Sequence, residues 1–142
     1  MKMWNEMKNS TILSGTIGLV YVWFGSLKFF PGTSPAEELA RNTIDQLTFG
    51  FITNQTAVTL LAILEVGIGL LLLSGLFRKQ VVILALGHMA FTFTPLLFFP
   101  YDSFSQPPLV PTLLGQYIGK NIIIIGALIT MIRKEREKGY FV

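Results

Sequence analysis

Hydrophobic positions in this chain fall into four long runs, 12–30, 57–76, 81–99 and 113–132, each broken by only one or a few polar residues. A helix crossing a bilayer needs about 20 mostly apolar residues, so each run has the length of one crossing. The expected fold is therefore all-α, an integral membrane four-helix bundle formed by residues 1–142 as a single membrane domain, with 133–142 as a cytoplasmic tail. The first run follows Lys2 and Lys8 and ends in Lys28-Phe29-Phe30-Pro31. It exceeds the 7–15 apolar residues of a signal peptide and has no small-residue cleavage site, which makes it a retained anchor. Arg78 and Lys79 are expected to form a tight turn between the second and third spans.

The connection 31–56 has its own periodicity. Ser34, Pro35 and Glu37 read as N-cap, first helical residue and capping-box acid, and Gly50 as the stop. Ala36, Leu39, Ala40, Ile44 and Leu47 recur at helical spacing, opposite a charge ladder of Glu37, Arg41 and Asp45. The pattern predicts an amphipathic helix over 35–49, on the outer face between spans 1 and 2. It would cap the bundle, act as a lid over a site, or serve as a docking face for a partner. The proline-rich stretch 100–111, with Tyr101 and Phe104, is expected to hold little helix and to anchor at the interface.

Composition agrees with this pattern. Of 142 residues, 51% are hydrophobic and 13% charged, and the mean hydropathy is +0.59. Soluble domains carry about 25% charged residues, so a soluble globular domain is excluded. The net charge of +3 is informative by position. Lys2, Lys8, Arg78, Lys79, Arg133, Lys134, Arg136 and Lys138 fall on one side of four crossings, with Arg41 alone on the other. Both termini are then cytoplasmic, N-in and C-in. Lys and Arg that set membrane orientation leave no basic groove, and no nucleic-acid partner is expected. With no cysteine there is no disulfide, thiolate metal site or thiol redox pair.

Polar residues inside the runs carry the candidate chemistry. An ionisable side chain in hydrocarbon costs about 2.5–3.5 kcal/mol on insertion scales, so it turns to the bundle interior and pairs. Ser14, Gly18, Tyr21, Gly25 and Lys28 share one face of the first span; Ala62, Glu65 and Gly69 one face of the second; Ala85, His88, Thr92 and Pro95 one face of the third. On the fourth, Thr112, Gln116, Gly119, Lys120 and Ile123 do the same. The four stripes are expected to converge. Counted at about 1.5 Å per residue, Glu65 and Lys120 lie at similar depth and would form an ion pair, with Lys28 nearer the outer surface and His88 extending the network inward.

Two readings of the cluster follow. In one, the ion pair only fixes helix register, His88 is satisfied by a neighbouring threonine or carbonyl, and Gln116 and Asn121 are interhelical hydrogen-bonding residues. In the other, Lys28, Glu65, His88, Gln116, Lys120, Asn121 and Tyr21 line an outward-opening pocket for a quinone head group or small anion. The lysines would donate hydrogen bonds and Glu65 would exchange protons, with Tyr21 and Tyr117 against the head group. One histidine and one glutamate supply too few ligands for a metal or haem, and neither is expected.

Three segments, GLVYVWFGSLKF (18–29), LEVGIGLLL (64–72) and GQYIGKN (115–121), resemble the DoxX-like family of small four-helix membrane proteins. Together they spread over nearly the whole chain. The resemblance implies a multi-pass protein of a bacterial or archaeal cytoplasmic membrane, with links to thiosulfate:quinone oxidation and to oxidative-stress complexes. It matches Lys28, Glu65 and Lys120 as shared polar positions. The expected function is a quinone-interacting membrane subunit of a redox complex, with quinone as the cofactor and an electron-donating partner subunit at the outer face. The alternatives are a non-enzymatic accessory or assembly subunit, and a small-solute or proton carrier that would require a homo-oligomer.

Overall fold

Gly18 and Gly69 meet backbone to backbone. A β-carbon added at Gly18 would stand 2.9 Å from the Gly69 carbonyl, and one added at Gly69 would stand 2.8 Å from that of Gly18. Small residues permit this approach, because association within a bilayer depends on close packing rather than on hydrophobic expulsion from water. The contact joins α1 (Lys2–Leu27) to α3 (Asn54–Ser74), the most extensive helix pairing in the molecule. Gly25, two turns along α1, sits equally close to Glu65 and Val66. Ser14 adds a hydrogen bond of 2.7 Å to the Leu72 carbonyl.

The computed structural model describes the backbone of residues 2–137 and the side chains of residues 11–134. The basic residues Lys2, Lys8, Arg136 and Lys138 and most of the expected tail 133–142 lie outside the described side chains. The chain is mostly helical. Three helices are long and apolar enough to cross a membrane, Asn54–Ser74, Arg78–Phe98 and Leu113–Lys134, and Thr11–Leu27 is a shorter apolar helix. Arg78–Phe98 comprises α4 (Arg78–Phe91) and α5 (Thr94–Phe98), and the last comprises α7 (Leu113–Gly119) and most of α8 (Asn121–Glu137). Ile17, Tyr21, Ile68, Leu72, Val82, Met89, Leu128 and Met131 are among the buried residues of the core where these helices meet.

Several local expectations are corrected. The turn between α3 and α4 falls at Gly75 to Phe77 rather than at Arg78-Lys79, which open α4. Gly75 takes a left-handed conformation, φ 72°, and its N–H bonds the Leu71 carbonyl, a glycine C-cap that stops α3. The third apolar run is interrupted after Phe91. Pro95 lacks the N–H that would bond the Phe91 carbonyl, and the Thr94 hydroxyl takes that acceptor instead at 2.8 Å.

The stretch 100–111 is not a bare loop. It holds α6 (Pro100–Ser103) and a two-stranded antiparallel hairpin, β1 (Phe104–Gln106) with β2 (Val110–Pro111). The fold is thus helical with one small β-hairpin, not purely α. The hairpin base is tied to α7: Thr112 donates its N–H to the Ser103 carbonyl at 2.9 Å and its hydroxyl to the Asp102 carbonyl at 2.7 Å, and its oxygen caps the N–H of Gly115 at 3.1 Å. Gly115 lies so close to the Ser103 carbonyl that no side chain fits there.

The connection after α1 forms α2 (Glu37–Leu47), shorter at both ends than 35–49. The Ser34 capping box is not made. Ala36 occupies the N-cap, and the Glu37 carboxylate reaches back to the Gly32 N–H at 2.7 Å and forward to Arg41 at 3.0 Å. The expected i, i+4 pair of Glu37 with Arg41 is made, and Glu37 is buried, because one carboxylate satisfies both the incoming chain and the guanidinium. The helix stops at Leu47, and the Gly50 N–H, φ 81°, bonds the Asp45 carbonyl at 2.9 Å.

Candidate functional site

α2 lies over the ends of the long helices, packed on α3 and α5, and beneath it is a cavity of about 420 Å³. The apolar positions read from the sequence, Ala36, Leu39, Ala40, Ile44 and Leu47, all line this cavity, so α2 forms its roof. Tyr21, Phe24 and Lys28 of the first helix contribute to the walls, as do Leu61 and Glu65 of α3, His88, Met89 and Thr92 of the third, and Tyr117, Ile118, Lys120, Asn121 and Ile124 of the fourth. The lining is predominantly apolar, with a small set of polar groups, the usual make-up of a small-molecule site.

The polar groups form a connected chain across three helices. Lys28 Nζ lies 2.6 Å from Glu65 Oε2, with 6% of Lys28 and 9% of Glu65 exposed. The same ammonium points at the Phe24 carbonyl at 3.5 Å. The other carboxylate oxygen, Glu65 Oε1, faces His88 Nε2 at 3.5 Å. On the far side of the ring, His88 Nδ1 is 2.9 Å from the Tyr21 hydroxyl, which also lies 3.3 Å from the Ala85 carbonyl. Assigning hydrogens by donor and acceptor count puts a single imidazole proton on Nε2, toward the carboxylate, and lets Tyr21 donate to Nδ1. Every member of the chain is then satisfied and the formal charges of Lys28 and Glu65 cancel.

This arrangement follows from local sequence. Tyr21 and Lys28 are seven residues apart, two turns along one face, and Gly25 between them lets α3 come close enough for Glu65 to reach the lysine. Lys28 follows the last residue of α1, where its N–H bonds the Gly25 carbonyl at 3.1 Å and its stem folds back over the helix end.

Lys28, Glu65, His88 and Tyr21 are thus in direct contact. Asn121 stands apart from them but lines the cavity, its amide donating to the Thr92 hydroxyl at 3.0 Å. Lys120 also lines the cavity but is exposed at its rim, and Glu65 pairs with Lys28 and His88 instead of Lys120. The expected Glu65 to Lys120 ion pair is therefore corrected. Gln116 is exposed and is not part of the cavity wall. The fourth stripe turns outward because the buried face of that helix is Gly115, Ile118, Leu128 and Met131. A long cation near the end of a span reaches water along its own stem, so burial does not dictate where it faces.

Sequence reasoning missed the part played by Phe24. Its ring packs edge-on against Tyr117, centroids 6.0 Å apart, joining the first and fourth helices at the cavity wall. A bulky aromatic one turn before Lys28 was the available signal. Among the described residues no group of three or more His, Cys, Asp or Glu side chains is gathered as a metal site would need. No family model, no curated protein and no solved structure matches the chain.

Proposed function

We propose that the chain is a membrane protein of the DoxX-like type, a four-helix bundle crossing a bacterial or archaeal cytoplasmic membrane with both termini inside and α2 on the outer surface. Within it, the cavity beneath α2 binds the head group of a quinone, and the protein serves as the quinone-interacting subunit of a redox complex. The observation that carries this reading is the buried Lys28–Glu65 pair set in the wall of an otherwise largely apolar cavity. Apolar walls suit a lipid-soluble ring and tail, and a charge-compensated polar end suits a neutral head that accepts hydrogen bonds. Electrons would come from a partner subunit docked at the outer face, since the chain has no cysteine to carry them through a thiol pair.

The test is purification in mild detergent followed by mass spectrometry of retained protein and extracted quinone. Quinone is expected with the wild-type protein and absent from the double variant Lys28→Met with Glu65→Gln, which removes the polar end without stranding a charge. A stoichiometric protein partner without quinone would instead support an accessory or assembly subunit. That second reading draws on one observation: Lys28, Glu65, His88 and Tyr21 satisfy one another within the chain, as a purely structural network does.

A further inference from the structure

The cavity is closed at its roof and open at its side. Leu39 and Thr43 of α2 line it and are buried, whereas Glu38, Asn42, Asp45 and Gln46 are exposed and take no part in the lining. On α1 the cavity reaches the surface, for Val20 lines it and is 39% exposed. The level of that opening follows from the register of α1 on α3. Gly18 packs against Gly69 and Gly25 against Glu65, so Val20 lies between these two levels. Gly69 is five residues from the end of α3 at Ser74, and Glu65 is eleven from its start at Asn54, distances of about 8 Å and about 17 Å along the helix. Val20 therefore opens the cavity well inside the length of α3, where, on the membrane reading above, acyl chains rather than water are the surroundings. Phe24, one turn from Val20, reaches Tyr117 of the fourth helix, and Ile124 of that helix also lines the cavity. The first and fourth helices pack on each other far less extensively than the first and third, which leaves a groove between them.

We infer that the groove at Val20 and Ile124 is a tail subsite, through which a ligand seated in the cavity extends an apolar chain into the bilayer. This rests on the quinone reading above and adds to it the substrate class, a ring carrying a hydrocarbon or prenyl tail rather than a free ring, and the side from which it enters. A cavity roofed at the helix ends and open well within the span receives its ligand from lipid. Val20 and Ile124 offer the chain the same apolar surroundings as lipid does, so its passage strands no polar group.

The experiment measures equilibrium binding of 2-methyl-1,4-naphthoquinone, and of the same ring carrying a prenyl tail, to the full chain in lipid nanodiscs. The wild-type protein is expected to bind both. Val20→Trp fills the opening with an indole and is expected to weaken the tailed compound about tenfold, within the range of overpacking an apolar contact, while changing the tail-less one by less than about twofold. Ile124→Trp narrows the same groove from the other helix and is expected to do the same. Leu19→Trp places the same ring on an exposed part of α1 that does not line the cavity, and is expected to change neither compound. If the Val20 and Ile124 variants bind the tailed compound as the wild type does, or lose both compounds alike, the inference is overturned. It is also overturned if Phe91→Trp alone weakens the tailed compound, since Phe91 lines the cavity at another exposed position and would then mark the exit. Binding of neither compound by the wild-type protein would overturn the quinone reading itself, and this inference with it.

Discussion

Lys28 Nζ and Glu65 Oε2 are 2.6 Å apart, an ion pair that joins the end of α1 to the middle of α3 with hardly any exposure to solvent. It sits within one turn of Gly25, whose missing side chain lets the two helices close on each other. Ion pair and close approach are one design: a side chain at residue 25 would push Glu65 away from its partner.

Removing half of a buried ion pair leaves an uncompensated charge and costs about 3–5 kcal/mol, whereas replacing both halves with neutral groups is often close to neutral. Glu65→Gln is therefore expected to destabilise the protein strongly in detergent unfolding, and addition of Lys28→Met to recover most of the loss. If the double variant is as unstable as the single one, Lys28 and Glu65 are not energetically coupled.

Lys120 has neither burial nor an acidic partner among the described residues. Lys120→Met should shift stability by no more than about 0.5 kcal/mol, the range of ordinary surface changes. Lys28→Met, the same chemical change at another residue lining the cavity, strands Glu65 and should cost several times more. Parallel unfolding curves of these two variants give the comparison directly.

Gly69 and Gly126 predict opposite responses to the same methyl group. At Gly69 a β-carbon would come within 2.8 Å of the Gly18 carbonyl and of the Val22 backbone nitrogen, so Gly69→Ala must separate α1 from α3 and should cost about 1–3 kcal/mol. At Gly126, in α8, nothing lies within 4 Å. Gly126→Ala should leave the unfolding midpoint unchanged or raise it, since alanine favours helix by up to about 1 kcal/mol.

Asn121 and Thr92 provide a test of the fourth helix. Their hydrogen bond of 3.0 Å is the polar link between α8 and the third apolar helix at the cavity. Interhelical hydrogen bonds in membrane proteins average about 0.6 kcal/mol. A double-mutant cycle of Asn121→Ala with Thr92→Val should return a coupling of that order. A coupling indistinguishable from zero would mean that the two side chains do not hold these helices together.

Residues deep in the apolar runs were readable one helix at a time. Ser14, Gly18, Tyr21, Gly25 and Lys28 are all buried, as are Ala62, Glu65 and Gly69. Helical periodicity places each set on one face, and the cost of a polar group in an apolar medium turns that face inward. The apolar face of α2 was legible for the same reason, and so was the i, i+4 pair of Glu37 with Arg41, although the helix ends were not: Glu37 also bonds the Gly32 N–H, which no capping pattern anticipates. The hairpin after α6 was invisible because its strands are only three and two residues long, too short for an alternating pattern to register.

The partner of Glu65 lay beyond the reach of sequence. Lys28 and Lys120 are both cations in apolar runs, and depth counted along single helices favoured Lys120. What decided for Lys28 is the distance between helices, set by Gly18, Gly25 and Gly69, which seat α1 against α3. The cavity is likewise a tertiary product, since its lining comes from α2 together with residues of all four apolar runs. Periodicity and burial cost act within one helix, so sequence alone determined which residues of the first two spans face inward, while the expected stripe of the fourth, Gln116, Lys120 and Ile123, turned outward. Which inward groups touch depends on the packing of one helix on another, so only the tertiary structure placed Lys28, Glu65, His88 and Tyr21 in one chain and left Lys120 at the rim.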